Sequence, residues 1–178
     1  NDIFIDNSIT FTDGHLVSSS TNLLTLNANA SAGGASDASH VSGVMDKTLS
    51  SPVSFTFPIG DGVEYKPLTV VPQSGANTFR TEFLPLSAEA IEASTTIDHV
   101  STKEYWSLQR TSGVSAFKTQ LSWNAYSGVD NLGSLAIAVY ENTPDWDELD
   151  AAFTTSGTAS SGTIITNNFV DNPGQYVT

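Results

Sequence analysis

Cysteine is absent from the 178 residues. Disulfides, thiolate zinc sites, iron–sulfur clusters and cysteine nucleophiles are excluded together. The absence does not fix the compartment, because bacterial surface proteins also avoid cysteine. Basic side chains are nearly as scarce, with 6 Lys and Arg against 19 Asp and Glu and a net charge of −13. Such a field repels nucleic acid and anionic lipid, which argues against both as partners. It favours solubility and the collection of divalent cations. No apolar run approaches the length of a membrane span, so membrane insertion is not expected. The opening NDIFIDNS has neither a basic n-region nor an apolar h-region, which fits a mature protein, a fragment or a cytoplasmic chain. Few lysines among many Ser, Thr, Asn and Gly give the composition of a secreted bacterial surface protein.

What the chain does have is alternation. Hydrophobic residues make up 39%, enough for a packed core. VSFTF places Val53, Phe55 and Phe57 on one side, and NTFRTEF sets Phe79 and Phe83 opposite Arg80 and Glu82. AFKTQLSWN turns Phe117, Leu121 and Trp123 inward, while LAIAVY is apolar on both faces. Period two with aromatic and β-branched residues predicts half-buried antiparallel strands. A helix is expected only at SAEAIEAS, Ser87 to Ser94, with a serine N-cap and early glutamates. The expected fold is all-β, an antiparallel β-sandwich of immunoglobulin-like or jelly-roll-like type.

The first fifty residues differ in texture, being rich in Ser, Gly and Ala with short strands at Ile9–Thr12, His15–Ser18 and Leu23–Leu26. They suit a hairpin meander, or one or two solenoid rungs against the main body. No clean repeat period emerges, which argues against a long solenoid. The chain therefore reads as a single β-rich domain over 1–178. A sub-boundary near 50 would separate a short-strand, solenoid-like region (1–50) from the sandwich (51–178).

The motif FPIGDG, Phe57 to Gly62, invites a phosphate or metal reading. A dinucleotide loop needs a third glycine and a following helix, and a Walker loop needs Gly-Lys-Ser/Thr. Here the chain continues VEYKPLTVV, a strand, so the glycines serve a turn. The acidic run PDWDELD offers Asp145, Asp147 and Asp150 as candidate calcium ligands, with Glu148 between them. It is no EF-hand loop, and a solvated loop with Trp146 and Leu149 tucked inward is the alternative. His15, His40 and His99 have no metal-ligand spacing, and no Gly-x-Ser-x-Gly elbow occurs. No catalytic set stands out, so the chain reads as a non-enzyme without a required cofactor. Among the aromatics, Trp123 completes a core stripe. Tyr105 and Trp106 are adjacent, so one faces outward or toward a second layer. Tyr126 is the candidate glycan contact.

Several stretches together resemble a module of large secreted and cell-surface proteins of the Bacteroidetes, often exported by the type IX secretion system and including gliding and adhesin-like giants. Val41-Ser42-Gly43 with Lys47, then Phe57-Pro58-Ile59-Gly60-Asp61-Gly62 with Tyr65 and Pro67, then Tyr105-Trp106 with Leu108 carry the resemblance in order. Ala138-Val139-Tyr140 and Trp146 match more loosely. The resemblance implies an extracellular β-rich module with a role in architecture or attachment, and it supplies no catalytic positions. The C-terminus shows no obvious type IX sorting domain, which fits an excised internal part of a longer protein or a differently processed one. Three roles stay open: a structural or adhesin module, a carbohydrate-binding module of a secreted enzyme, and a filament subunit donating a strand from Ile3–Ile5 and Ile9–Phe11. The corresponding partners are surface glycans or neighbouring modules and subunits.

Overall fold

Alternating segments become strands almost throughout. The computed structural model describes residues 1–50, 52–87, 97–140, 146–171 and 175–177. Among them the chain is all-β, with one 3-10 turn at Leu132–Ser134. The helix expected over Ser87–Ser94 lies, beyond Ser87, outside the described residues. Short strands come first: β1 (Ile3–Ile5), β2 (Ser8–Thr10), β3 (Leu16–Val17), β4 (Leu24–Leu26), β5 (Ser31–Gly33), β6 (Val41–Ser42), β7 (Met45–Leu49), β8 (Phe55–Phe57) and β9 (Ile59–Gly60). Longer ones follow as β10 (Leu68–Pro72), β11 (Asn77–Leu84), β12 (Tyr105–Ser112) and β13 (Phe117–Asn124). The last are β14 (Ala138–Tyr140), β15 (Asp147–Glu148), β16 (Phe153–Thr158), β17 (Ser161–Thr166) and β18 (Gln175–Val177).

The first sixty residues wind as a three-sided coil of parallel strands. On one side β1, β4 and β7 stack with Ile3, Leu24 and Met45 in register. On the second β2 pairs with β5, and on the third β3, β6 and β9 stack with Leu16, Val41 and Ile59 aligned. The strands stack in parallel and not as a hairpin meander: two complete turns, β1–β3 and β4–β6, fall within the first fifty residues, and β7 and β9 continue a third. Leu24, Leu26, Val41, Met45 and Ile59 fill its interior and are almost fully buried. Gly43 closes a corner at φ +120°, where a Cβ would lie 2.2 Å from the Ser18 carbonyl oxygen, so only glycine lets the turns approach.

The third turn of the coil divides between the two larger sheets. β7 also pairs antiparallel with β11, which makes the coil side one end of an eight-stranded sheet, β1-β4-β7-β11-β12-β18-β14-β15. β8 leaves the coil to pair antiparallel with β10 in a five-stranded sheet, β16-β17-β13-β10-β8. Strands on both sides of residue 50, β7 and β9, belong to the third turn of the coil. The two sheets share one core, where Phe79 of β11 meets Phe117 of β13 edge-on with ring centroids 5.2 Å apart. The alternation expected for NTFRTEF and AFKTQLSWN is present, with every second residue buried. Val53 departs from its stripe and is exposed, because the strand begins only at Phe55. A smaller cluster of Val100, Tyr105, Ala138 and Trp146 lies apart from that core.

Candidate functional site: a buried ionic joint beside an open cleft

FPIGDG positions the site. Phe57 and Ile59 are fully buried, and the chain then reverses: Lys66 N–H donates to Ile59 O at 2.9 Å, and Gly60 bridges Tyr65. Asp61 accepts from the amides of Val63 and Glu64 at 2.8 and 2.7 Å, so its carboxylate builds the turn. Gly62 sits at φ +89° and donates its N–H to His40 Nε2 at 3.0 Å. His40 Nδ1 lies 2.9 Å from the Ser36 carbonyl and must donate to it. The ring is therefore the neutral Nδ1–H tautomer, with both nitrogens used. The sequence left the histidines isolated, but the coil sets His15 edge-on to His40, ring centroids 4.4 Å apart. No linear spacing could have shown that pair.

Beyond the turn, Lys66 is wholly buried. Its ammonium donates to Glu104 Oε1 (2.9 Å), Asn124 Oδ1 (3.0 Å) and Ser127 Oγ (2.8 Å), which uses all three protons. Glu104 Oε2 lies 2.7 Å from the same nitrogen, and Ser127 Oγ donates to Oε1 at 2.5 Å. Asn124 Nδ2 donates in turn to Glu64, and Trp106 Nε1 donates to the Lys66 carbonyl at 3.0 Å. Turn, β12 and the end of β13 are thereby fastened through one ion pair. Sequence reasoning missed Lys66 and Glu104, 38 residues apart. Lys66 between two apolar strands was the only hint.

A cleft of about 240 Å³ opens over this joint, bordered by Asp61, Glu64, Phe83, Glu104 and Tyr126. Tyr126 is 54% exposed, and the Lys103 ammonium lies 5.9 Å from its ring centroid. Trp123 is buried, donating Nε1–H to Thr158 O at 2.8 Å. Tyr105 and Trp106 are both buried, Trp106 against Phe83 and Tyr105 in the smaller cluster.

Of the candidate ligands in the acidic run, Asp147 and Asp150 are described. Asp145 lies outside the described residues. Asp147 is exposed in β15 opposite Val139. Asp150 is buried, and both oxygens accept from Asn168, from its backbone N–H and its side-chain amide, each at 2.8 Å. Burial alone would raise the Asp150 carboxyl, but these bonds and the amides of Ala151 and Ala152 outweigh it and hold it below the usual range. Among the described residues no group of three or more acidic or histidine side chains could hold a metal ion.

Comparison with models of protein families, with curated proteins and with solved structures returned no match.

Proposed function

We propose that the chain is a non-catalytic structural or adhesin module of a bacterial cell-surface protein, located outside the cell. Its two larger sheets are read as an antiparallel sandwich of immunoglobulin-like or jelly-roll-like type. The observation that carries this reading is the joint: the buried ion pair, Lys66 with Glu104, is spent on fastening the coil turn to two strands. The resemblance to Bacteroidetes surface modules adds to it, since the residues that carry it have structural tasks. Val41 fills the coil, Gly43 lets its turns approach, and FPIGDG forms the reversal that delivers Lys66. The partners on this reading are neighbouring modules. Purified protein should turn over no polysaccharide, peptide or ester. Turnover that disappears in Glu64→Gln, at a cleft carboxylate outside the ion pair, would overturn the reading.

A second reading, a carbohydrate-binding module, is favoured by one observation: Tyr126 is an exposed ring at the rim of a cleft with carboxylates to accept from sugar hydroxyls. A glycan array run with and without calcium tests it. Binding lost in Tyr126→Ala would support it, and no binding in either condition would dismiss it. Strand donation makes a third reading less direct, because Ile3–Ile5 is already registered on β4 of its own coil.

A further inference from the structure

The joint holds a third group that an ion pair does not need. Lys66 precedes β10 and Asn124 ends β13, neighbouring antiparallel strands of the five-stranded sheet. Glu104 precedes β12 of the other sheet. Lys66 and Glu104 are each 1% exposed. The Phe83 ring, its centroid 5.8 Å from Lys66 Nζ, and the fully buried Trp106 flank them. An amine, a carboxamide and a carboxylate thus meet on rigid elements in a site shielded from water.

The Asn124 side chain is set as an electrophile. Its Oδ1 accepts from Lys66 Nζ and from the Tyr126 amide, each at 3.0 Å, while its Nδ2 donates to the Glu64 carboxylate. A backbone N–H only donates and a carboxylate only accepts, so these partners fix which end of the amide is which. With Nζ 3.0 Å from Oδ1 and a C=O bond of about 1.23 Å, Cγ lies within about 4.2 Å of Nζ. The Tyr126 N–H stands where an oxyanion on Oδ1 would need a donor. Glu104 Oε2 lies 2.7 Å from Nζ and makes no hydrogen bond among the described residues, which places it to take a proton.

We propose that Lys66 and Asn124 condense into an amide bond between their side chains, with Glu104 as the catalytic acid and base. Nζ first passes one proton to Glu104 Oε2, which removes both buried charges and frees the amine lone pair. That pair attacks Cγ, the Nζ–Cγ bond forms, and the carbonyl pair moves to Oδ1 beneath the Tyr126 amide. Glu104 hands its proton to Nδ2 and takes a second one from Nζ. The Cγ–Nδ2 bond breaks as the carbonyl re-forms, and ammonia leaves past Glu64 into the cleft of about 240 Å³. Nζ keeps one proton as the amide N–H, and Glu104 ends as the neutral acid, so no charge stays buried. The step is redox-neutral, consumes no co-reactant and happens once per chain. In a protein without cysteine it closes a covalent loop between positions 58 residues apart, as a disulfide would. The ion pair is the state that precedes it, and the stability of that pair is a property of the unlinked chain.

The test is the intact mass of the purified 178-residue chain, followed by a tryptic map. Release of ammonia should lower the mass by about 17 Da against the sequence value. Trypsin cuts after Lys47, Arg80 and Lys118 but not between Lys66 and Pro67, so residues 48–80 and 119–178 should leave the digest as one branched peptide. Glu104→Gln keeps the size and removes the proton carrier, and Asn124→Ala removes the carbonyl. Both should hold their full sequence mass, with the two peptides separate. A parent chain at full mass overturns the proposal. So does the same loss with the two peptides separate, which places the lost ammonia elsewhere. Undiminished linkage in Glu104→Gln overturns the mechanism. The parent readings need no variant and stand whether or not the variants fold. The proposal goes beyond the module reading, and the two fail separately: an absent link leaves that reading and the ion pair in place, and turnover of an added substrate would sink that reading without altering the mass.

Discussion

At the scale of single residues, the polar groups in the interior are matched so closely that their loss is predictable. His40, itself buried, satisfies two part-buried backbone groups at once, the Ser36 carbonyl and the Gly62 amide. His40→Ala leaves both unpaired and should cost about 1–3 kcal/mol in denaturant unfolding. His15→Ala, at the exposed member of the edge-on pair, should cost less than about 1 kcal/mol. Asp150 gives a pH-dependent case. Its folded carboxyl titrates below its unfolded value, so its contribution is complete above about pH 4 and is lost as pH falls through the lower, folded value. Asp150→Asn presents an amide where Asn168 donates twice, so it should be less stable than the parent at neutral pH. Thermal melts at stepped pH should show that gap closing as the parent is acidified below about pH 4. A gap that stays constant would mean that the ionised form of Asp150 is not what Asn168 stabilises.

At the scale of elements, the long strands were legible and the coil largely was not. NTFRTEF and AFKTQLSWN declare themselves because eight-residue strands carry four inward positions each. Coil strands of two or three residues carry one or two, too few for a periodic signal. The repeat is real on one side only, where Ile3, Leu24 and Met45 are evenly spaced. Leu16, Val41 and Ile59 are not, because the corners between sides differ in length. A fixed-period reading averages such a coil away. Lys47 was equally hidden. It occupies the inward position below Leu26, where a sequence reading expects an apolar residue. Its ammonium instead donates to the carbonyls of Asn27, Ala28 and Ala30 at 2.6, 3.2 and 2.8 Å and so closes the corner of the second turn. Burial pulls the Lys47 ammonium below its ordinary value. Lys47→Met keeps the volume but strands those carbonyls, and should lower stability by about 1–3 kcal/mol. Amide exchange should accelerate first around residues 27–33, and a uniform acceleration over the whole chain would refute a corner-specific role.

At the scale of the whole molecule, the question is what makes coil and sheets behave as one body. Among the described residues the connections include the shared third turn, through β7 and β8, one hydrophobic cluster that spans coil and sheets, and the ion pair of Lys66 with Glu104. A wholly buried pair adds little net stability against an apolar substitute, yet breaking it leaves one charge uncompensated. Lys66→Met should therefore cost roughly 3–5 kcal/mol, since the Glu104 carboxylate keeps only Ser127 as a donor. Lys66→Met combined with Glu104→Leu should recover most of that loss, because no charge remains to be buried and Asn124 and Ser127 can still bond each other. The parent should unfold in a single transition seen alike by tryptophan fluorescence and far-ultraviolet circular dichroism. The fluorescence is informative because Trp106 donates to the Lys66 carbonyl at the joint itself. If the double variant is as stable as the parent but its two signals separate, the ion pair contributes coupling between coil and sheets rather than stability. If the double variant is no more stable than Lys66→Met alone, the destabilisation comes from lost packing around the lysine stem, and the joint is not electrostatic in origin.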